Sequence, residues 1–407
     1  MRTQGAVRSM GRGETTASRI GSVDALRGFA LLGILVVNIA FLASGYRMAG
    51  LAEPAFDGPL DWGVRWFVTM FLENKFYLLF SFLFGYSFTL QLDSAVRRGN
   101  AFVPMFLRRL GGLFVIGVVH AVLLFPGDIL TTYAVVGVAL LALRNVTPRR
   151  AMIMAVSLTV LLAAGFALLA IMAQLGLDTT GRVGGGLAEA QVSDIAQLGT
   201  VGQIIGEHMH KLSTIMVFRV LFQGPAVLAA CLIGLAVGKL GALRDVAAYA
   251  SVLRRLQWVG FSAGLIGAFF YTQSAWNGVG HKFLGQAVDL VTAPLLAAAY
   301  AATLLRLLPH VPRLGQALAA PGRMALSNYL GQSLICSLIF TGYGLGLLDR
   351  VSPLLEVAIA IGVFCLQVVY SHLWLRNHRY GPVEWILRFL TYWRRPTATK
   401  AQTLSEG

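Results

Sequence analysis

The sequence predicts an all-α fold, a polytopic transmembrane helical bundle of about ten spans. The first observation is composition: of 407 residues, 57% are hydrophobic and only 13% are charged. The second is the mean hydropathy of +0.70, which is far above that of an ordinary soluble domain. The third is that the apolar residues come in runs of about twenty, the length of helix that crosses a bilayer. Soluble fold classes are therefore excluded.

The predicted spans belong to a single transmembrane domain, residues 20–395. Residues 1–19 are predicted to form a disordered basic cytoplasmic tail, and residues 396–407 a second disordered tail. With boundaries good to a few residues, the spans cover 22–43, 74–93, 105–125, 128–144, 150–174, 214–239, 255–273, 284–307, 324–345 and 354–375. The three cysteines fall inside apolar runs without CxxC spacing, so they indicate neither a disulfide framework nor a metal site.

Charge decides the predicted orientation of the spans. The loops on one side hold most of the 33 basic residues and only a third of the 18 acidic ones. Because cytoplasmic loops collect Lys and Arg, both termini are predicted to be cytoplasmic. The formal net charge of +15 is explained by this asymmetry, so the predicted partner is the lipid bilayer and no nucleic acid is expected.

Three segments between or after the spans have their own predicted character. Residues 44–73 contain Trp62, Trp66 and Phe67, a pattern typical of an interfacial amphipathic helix, and residues 376–395 are predicted to form another. Residues 175–213 either cap an outward-facing cavity or form a flexible connector. The histidines in that segment, His208 and His210, have no metal-ligand spacing and are predicted to be solvated.

The first span carries Asp24, Arg27 and Asn38 within its apolar run. Polar groups in hydrocarbon cost several kcal/mol unless they are paired or wet, so this span is a functional-site candidate. Asp24 and Arg27 are one helical turn apart and are predicted to pair. Arg27 and Asn38 are separated by about 16 Å along the axis, so the helix offers polar groups at two depths.

A second candidate lies where the third span ends and the fourth begins. His120 and Asp128 flank the short Pro126-Gly127 turn, which makes the two helices antiparallel neighbours and brings both side chains to the outer surface. A carboxylate that holds an imidazole in one tautomer is a common way to make histidine a general base. The alternative is a hydrogen-bonded pair that only stabilises the hairpin. Tyr133, further along, is either an interface tyrosine or a substrate contact.

Other polar residues at membrane depth are further candidates for substrate binding. Lys75 begins the second span and either extends to the surface or binds substrate. Asn328 and Gln332 share one helix face of the ninth span, where they bind substrate or join helices by hydrogen bonds. Glu384 and Arg388 lie four residues apart near the carboxyl end; they either pair or cover the inner mouth of a site at Asp24 and Arg27.

Several stretches, in the same order, resemble the YeiB-like bacterial membrane proteins, the domain of unknown function 418. They are S-V-D-A-L-R-G-F-A-L-L-G-I-L-V-V-N-I, K-F-Y-L-L-F-S-F-L-F-G, G-V-V-H-A-V-L-L-F-P-G-D-I-L-T-T-Y-A, G-R-M-A-L-S-N-Y-L-G-Q-S and G-P-V-E-W-I-L-R-F-L-T-Y. The resemblance runs from about residue 19 to residue 395. It implies a multi-pass protein of the bacterial inner membrane.

The stretch from Val23 to Gly28 is also distantly similar to two groups of membrane acyltransferases, the acyltransferase-3 group and the heparan-glucosaminide acetyltransferase group. In the first group a catalytic histidine follows the arginine by eleven residues, and here that position is Asn38. In the second group the histidine lies eleven residues further on, and here that position is Ala49. The resemblance therefore implies acyl transfer, with His120 and Asp128 as the replacement for the missing base.

These observations favour a membrane acyltransferase that moves an acyl group from a cytoplasmic acyl-CoA to a sugar or small metabolite. The donor is expected near Arg27 and Asn328, with His120 as the base, Asp128 as its orienting group, and Asn38 or Lys75 at the oxyanion. Acyl-CoA is a co-substrate, and no bound cofactor is expected. A small-solute transporter or exporter is the alternative, and a scaffold or sensor is a third hypothesis. A homodimer is compatible with the sequence.

Overall fold

The structure, a computed structural model, describes residues 3–48, 51, 55–99, 101–177, 187–244, 246–275 and 279–393. Side chains are given in these ranges except at 3–20, 187–189, 213, 214, 218, 244 and 279. The predicted tails over 1–19 and 396–407 lie outside the residues whose side chains are described, although the first helix begins at Thr3. The existence of disordered tails therefore stays a prediction.

Most of the described part of the chain is helical and it contains no strands, which confirms the all-α class. The helices α1 to α16 are, in chain order, Thr3–Ala43, Gly45–Met48, Pro59–Phe71, Lys75–Arg97, Phe102–Leu123, Leu130–Ala142, Pro148–Gln174, Leu187–Gln197, Val201–Phe218, Gly224–Leu240, Ala250–Ser274, Val279–Leu307, Pro312–Arg323, Ala325–Phe340, Pro353–Asn377 and Pro382–Tyr392. A π-helix, Arg219–Gln223, joins α9 to α10, and a 3₁₀ turn, Ala242–Arg244, follows α10.

Seven segments of the described chain are long and apolar enough to cross a membrane. They are Gly21–Ala43, Pro59–Arg97, Phe102–Leu123, Pro148–Gln174, Ile215–Leu240, Gly280–Leu307 and Pro353–Asn377. Each coincides with one of the predicted spans. The chain is therefore a membrane-embedded helical protein whose outer surface contacts the lipid bilayer.

The other three predicted spans differ from these seven. The predicted spans 128–144 and 324–345 correspond to shorter apolar helices, α6 and α14. Because α6 has 13 residues, it rises only about 20 Å, against a hydrocarbon core of about 30 Å. The predicted span 255–273 falls within α11, which is not one of the seven. The count of ten spans and the orientation of the termini stay predictions.

The centre of the bundle is α1, which the sequence singled out. Its side chains at Leu26, Leu31, Leu35 and Ile39 are buried at about one-turn intervals, and α4, α13, α14 and α15 all pack against it. Close approach to α13 requires glycine on both helices. A Cβ at Gly28 would meet the backbone oxygen of Leu318, and one at Gly322 would meet the backbone oxygen of Asp24. Small residues at a helix crossing allow such close packing in membranes.

The helices around α5 form the frame of the candidate site. α5 and α6 pack as an antiparallel hairpin, α9 packs against the same helix, and α16 contacts both α5 and α14. α10 packs against α4, α6 and α7, while α11 and α12 form a second hairpin beside α7. The predicted outer end of α5 is thus covered by α9, and α16 packs toward its predicted inner end.

Helices form where two interfacial segments were predicted, their place at a membrane interface stays a prediction, and one histidine prediction is corrected. α3 and α16 lie where amphipathic segments were predicted, and Phe67 on α3 is 53% exposed. The prediction that His208 is solvated is wrong. This histidine is 2% exposed, and its Nδ1 lies 3.0 Å from the backbone oxygen of Val122 at the end of α5. Burial lowers the pKa of His208, while the bond to Val122 acts against that shift.

Candidate functional site

The imidazole of His120 contacts Asp128, as the short turn between their helices predicted. His120 Nδ1 lies 2.9 Å from Asp128 Oδ1, and both side chains are buried. The second carboxylate oxygen, Oδ2, accepts the backbone N–H of Thr131 at 2.8 Å and so caps the first turn of α6. A carboxylate only accepts hydrogen bonds, so this contact assigns the proton to Nδ1 and leaves Nε2 as the basic nitrogen.

The other ring nitrogen of His120 faces Ser333 on α14, a residue that was not among the predicted site residues. His120 Nε2 lies 2.8 Å from Ser333 Oγ, and Ser333 is also buried. The order Asp128–His120–Ser333 has the connectivity of a catalytic triad: a carboxylate orients an imidazole, which accepts the proton of a hydroxyl. Such a triad is recognised by geometry and not by the order of residues along the chain.

Two further residues complete the surroundings of this triad-like cluster. The ring of Tyr329, one turn before Ser333 on α14, lies 5.0 Å from the ring of His120 between centroids. Arg219, the first residue of the π-helix, interacts electrostatically with Asp128 and Tyr329. π-helices inside longer helices occur frequently at functional sites. A cation therefore lies close to the cluster without bonding directly to Ser333 in the described structure.

The cluster is closed on its outer side by Phe125. The ring of Phe125 lies 6.5 Å from that of His120 between centroids. On the other side of Phe125 is a pocket of about 20 Å³, large enough for one water molecule, that also touches His208 and Lys211 of α9.

The inner end of α1 carries the predicted pair. Arg27 Nη1 donates to Asp24 Oδ1 at 2.7 Å, and Arg27 Nη2 donates to Ser87 Oγ on α4 at 2.6 Å. The Arg27 side chain is 26% exposed, so its charge remains available to a ligand. Arg323 interacts electrostatically with Asp24, and Arg109 of α5 with Arg27. The arginines thus form an inner basic cluster.

Glu384 and Arg388 do not pair with each other in the described structure, although both lie near this inner cluster. Glu384 Oε1 accepts the backbone N–H of Leu326 at 2.7 Å and of Ser327 at 3.1 Å, and Oε2 accepts the Ser327 hydroxyl. The carboxylate therefore caps the first turn of α14. Burial raises the pKa of Glu384, and the hydrogen bonds from Ser327 act against that shift.

Arg388 lies over aromatic rings. Its guanidinium carbon is 4.3 Å from the ring centroid of Tyr380 and 5.3 Å from that of Tyr392. It also interacts electrostatically with Arg109, so it adds a further cation to the inner cluster. Of the two predicted roles for the pair, the position beside the inner cluster is the one that the geometry supports.

The predicted polar stripe on α14 is bonded to α15. Asn328 Nδ2 donates to Ser371 Oγ at 2.9 Å, and Gln332 Nε2 donates to Gln367 Oε1 at 2.9 Å. Gln367 in turn donates to the backbone oxygen of Asn328 at 2.8 Å. These contacts join two helices, as the structural alternative predicted. Polar contacts thus run along α14 from its first turn, which Glu384 of α16 caps, to Ser333 in its middle.

Lys75 belongs to a different cluster. It is fully buried, its Nζ lies 3.4 Å from Asp289 Oδ1 on α12, and it donates to the backbone oxygen of Thr69 at 3.3 Å. Asn74 Nδ2 also donates to Asp289, at 2.8 Å. The predicted surface position of Lys75 is therefore wrong, because a buried carboxylate holds the ammonium group inside the bundle. The same ion pair keeps it away from His120.

The remaining two predicted site residues are also not joined to His120. Asn38 is half-buried on α1 and has no hydrogen bond to His120, Asp128 or Ser333 in the described structure. Tyr133 is buried, its hydroxyl lies 3.1 Å from Ser81 Oγ, and its ring stacks on Phe84 at 5.2 Å between centroids. Its position is that of a core tyrosine between α6 and α4.

Two members of these clusters had signals in the sequence. Ser333 directly follows Gln332 and lies within the same short polar run of the ninth predicted span. Asp289 is a carboxylate inside the predicted span 284–307, where a charge requires a partner. Arg219 gave a weaker signal, because it lies close to the predicted start of its span. No group of three His, Cys, Asp or Glu side chains that would hold a metal occurs among the described residues.

Comparison with known proteins extends over nearly the whole chain. The uncharacterized protein YxaH of Bacillus subtilis (strain 168) is 34% identical, over 95% of this chain and 98% of its own length. The uncharacterized 39.9 kDa protein in the amylase 3'region of Bacillus acidopullulyticus is 30% identical, over 93% of this chain and 95% of its own. The uncharacterized protein YeiB of Escherichia coli (strain K12) is 30% identical, over 91% of this chain and 95% of its own.

Residues 237–394 also match the family described as "Protein of unknown function (DUF418)". That region contains α14, with Ser333, and α16, with Glu384. The resemblance to YeiB-like proteins that the sequence motifs indicated is thus confirmed. The chain belongs to the DUF418 family of membrane proteins.

Proposed function

We propose that the protein is a membrane acyltransferase that moves an acyl group from an acyl thioester, acyl-CoA, to a hydroxyl of an envelope or exported sugar or small metabolite. The observation that carries the proposal is the position of His120, hydrogen-bonded to Asp128 through one ring nitrogen and to Ser333 through the other. This connectivity is suited to acyl transfer, because it supplies a nucleophile and a base already aligned.

The first half-reaction forms an acyl-serine. Ser333 Oγ attacks the thioester carbonyl carbon as His120 Nε2 takes the serine proton. The tetrahedral intermediate then collapses, its carbon–sulfur bond breaks, and the departing thiolate receives the proton from His120. Asp128 stabilises the imidazolium between these two transfers. Arg219 supplies positive charge near the developing oxyanion.

The second half-reaction transfers the acyl group to the acceptor. The acceptor hydroxyl gives its proton to His120 Nε2 and its oxygen attacks the acyl-serine carbonyl. Collapse breaks the bond to Ser333 Oγ, which regains the proton from His120, and the acceptor leaves as an ester. The net reaction consumes one thioester and one hydroxyl and yields one ester and one thiol, so no other reactant is needed.

The inner basic cluster supports an anionic donor. Arg27 and Arg388 lie there with Arg109, and guanidinium groups bind phosphates in a bidentate manner. Arg109 and His120 are both on α5 and about 16 Å apart along its axis, which is three turns and places them on nearly the same face. A donor that binds by its phosphates at the inner cluster is thereby directed along α5 toward His120.

Two roles expected from the sequence change in this proposal. Lys75 is ion-paired with Asp289, and Asn38 makes no hydrogen bond to the cluster in the described structure, so neither is assigned to the oxyanion. The sequence analysis expected His120 to act directly on the acceptor hydroxyl, whereas in this proposal His120 first accepts the proton of Ser333. The reaction therefore proceeds by double displacement and not by direct transfer.

The test is a reaction of the purified protein in nanodiscs with acyl-CoA substrates of increasing chain length. Thiol release is followed with a chromogenic thiol reagent, and the protein is digested and analysed by mass spectrometry without an acceptor. We expect an acyl adduct on the peptide that contains Ser333. Ser333→Ala should lose the adduct, and His120→Gln should slow its formation by about 10³-fold or more.

The matched control is His372→Gln, because His372 is an exposed histidine on α15 away from the cluster. It should react like the wild type. Wild-type protein that neither releases thiol nor carries an adduct with any acyl-CoA would exclude acyl transfer from this donor class. Gradient-driven flux of a solute in proteoliposomes without thioester consumption would instead support the transporter hypothesis.

A further inference from the structure

An apolar slot in the described structure shares no lining residue with the His120 cluster. It has a volume of about 550 Å³ and lies between α7 and α10 on one side and α11 and α12 on the other. Its walls are almost entirely aliphatic; Thr159 and Tyr249 contribute the hydroxyls, and the Thr159 hydroxyl is already bonded to the backbone oxygen of Ala155. Ligand sites in proteins typically measure about 300–1,000 Å³, so this slot is large enough to bind a ligand.

The slot reaches the apolar surface of the bundle. Its rim consists of side chains that are partly exposed on two helices, Met152 and Val156 on α7 and Val252 and Leu256 on α11. Deeper in the slot, Ala155 is buried. Because α7 is long and apolar enough to cross a membrane and the exposed rim side chains of α11 are also apolar, we expect hydrocarbon to enter between them without crossing water. A polar solute would lose its hydration in this slot without gaining hydrogen bonds.

One end of the slot is surrounded by cations. α7 begins next to Arg149 and Arg150, and the first turns of α11 carry Arg254 and Arg255, all exposed. These arginines lie within about one turn of the rim residues Met152, Val252 and Leu256. The 3₁₀ turn after α10 covers the same end of the slot, so the arginines lie where the slot meets the polar surface.

We propose that the slot binds one hydrocarbon chain of an anionic lipid from the bilayer, with the lipid phosphate held by the arginines at its end. The apolar walls favour a hydrocarbon chain, because a chain in the slot makes van der Waals contacts with packed side chains in place of contacts with other lipids. The arginines select an anionic headgroup over a zwitterionic one. The proposal does not rest on acyl transfer at Ser333, since the slot and the His120 cluster share no residue.

The test uses the full-length protein in nanodiscs doped with a lipid that carries a photoreactive diazirine in its acyl chain. Phosphatidylglycerol and phosphatidylcholine versions are compared, and crosslinked peptides are identified by mass spectrometry. We expect adducts concentrated on peptides of α7, α11 and α12 that line the slot, with phosphatidylglycerol labelling the stronger. Adducts spread evenly over all lipid-facing helices would overturn the proposal.

Two variants and their controls make the test specific. Val156→Trp fills the mouth of the slot and should lower slot labelling by about tenfold. Leu161→Trp is the control, because Leu161 is 70% exposed on the same helix and does not line the slot. Unchanged labelling in a folded Val156→Trp protein contradicts the assignment of the slot.

The headgroup is tested separately. Arg149→Gln with Arg150→Gln changes only exposed side chains and should reduce the preference for phosphatidylglycerol by about fivefold for each charge removed. Arg376→Gln with Arg379→Gln, an exposed pair at the end of α15, should keep that preference. Equal labelling by the two lipids in the wild type overturns the anionic assignment.

Discussion

His120 connects α5 to the middle of α14 through a single hydrogen bond, in which its Nε2 lies 2.8 Å from Ser333 Oγ. The other nitrogen is held by Asp128 at 2.9 Å. Because α14 is also capped by Glu384 at its first turn, one short helix contacts both the inner cluster and the His120 cluster. Helix α14 is therefore the element that links the two polar regions of the bundle.

We predict that Asp128→Asn leaves the protein folded but lowers acyl transfer by about 10³–10⁴-fold. The asparagine oxygen can still accept the N–H of Thr131 and keep the α6 cap. Its amide then donates to His120 Nδ1 and moves the ring proton to Nε2, which can no longer accept the Ser333 hydroxyl. Initial rates of thiol release and a thermal unfolding scan in detergent measure the two effects.

The control for this variant is Asp61→Asn, which removes a carboxylate from α3 without touching His120. It should change neither the rate nor the midpoint temperature. If Asp128→Asn retained wild-type rates, the pair would be a structural bond of the α5–α6 hairpin, as the alternative interpretation of the sequence holds.

The second prediction concerns the buried ion pair of Lys75 and Asp289. Lys75→Met leaves a buried carboxylate without its cation, and removal of one partner from such a pair costs about 3–5 kcal/mol. We expect a large fall in the free energy of unfolding, measured by denaturant titration in micelles. The double variant Lys75→Met with Asp289→Leu should regain most of that stability, because no buried charge remains.

The comparison variant is Lys282→Met, which removes an exposed lysine at the same end of the bundle. Its effect should be within a few tenths of a kcal/mol. A double variant that is no more stable than the single Lys75→Met would show that Lys75 acts through contacts other than Asp289.

Local chemistry explains which parts of the site could be predicted from the sequence. The pairs Asp24–Arg27 and His120–Asp128 follow from one helical turn and one short hairpin, so spacing alone brings each pair together. The helices themselves follow from apolar runs. The amphipathic helix over Pro59–Phe71 likewise follows from its aromatic residues.

The contacts that sequence spacing did not predict join distant parts of the chain. Ser333 and Asp289 lie more than two hundred residues from His120 and Lys75 respectively. Only the tertiary fold brings each pair together, through the His120–Ser333 contact in one case and the packing of α12 on α4 in the other. Extension of Lys75 to the surface stayed open as an alternative because its partner Asp289 was not identified. His208 was expected in solvent because the packing of α9 on α5 is a tertiary contact without a periodic signal.

The third prediction concerns Glu384, whose carboxylate caps α14. Because it accepts two backbone N–H groups and a hydroxyl, Glu384→Ala should lower the free energy of unfolding by about 2–3 kcal/mol. Glu384→Gln should have a smaller effect, since an amide oxygen still accepts but carries no charge at the positive end of the helix. Denaturant titration in micelles measures both.

A double-mutant cycle with Ser327→Ala isolates this contact. We expect Ser327→Ala to lower the free energy of unfolding less in the Glu384→Ala background than in the wild type, because the Ser327 hydroxyl has then already lost its acceptor. Additive effects of the two changes would contradict the bond between the Ser327 hydroxyl and the Glu384 carboxylate.

The fourth prediction is a pH dependence of thermal stability that arises from two carboxyl groups, those of Asp194 and Asp349. Asp194 on α8 accepts the backbone N–H of Gly45 at 2.9 Å and lies beside Asp349. Burial and the neighbouring Asp349 carboxyl raise the pKa of Asp194 to about 7. An acid whose pKa is raised on folding binds its proton more tightly in the folded state, so the folded protein gains stability from protonation.

This stabilisation is fully present below the ordinary carboxyl pKa and is lost as the pH rises through about 7. The midpoint temperature of the wild type should therefore fall between pH 5 and pH 8 relative to that of Asp194→Asn, in which the amide does not titrate. Asp349→Asn should flatten the dependence as well, because it removes the repulsion that raises the Asp194 pKa. Asp57→Asn, at an exposed carboxylate outside this pair, should follow the wild type. Parallel curves for the wild type and Asp194→Asn would show that the pair does not share a proton.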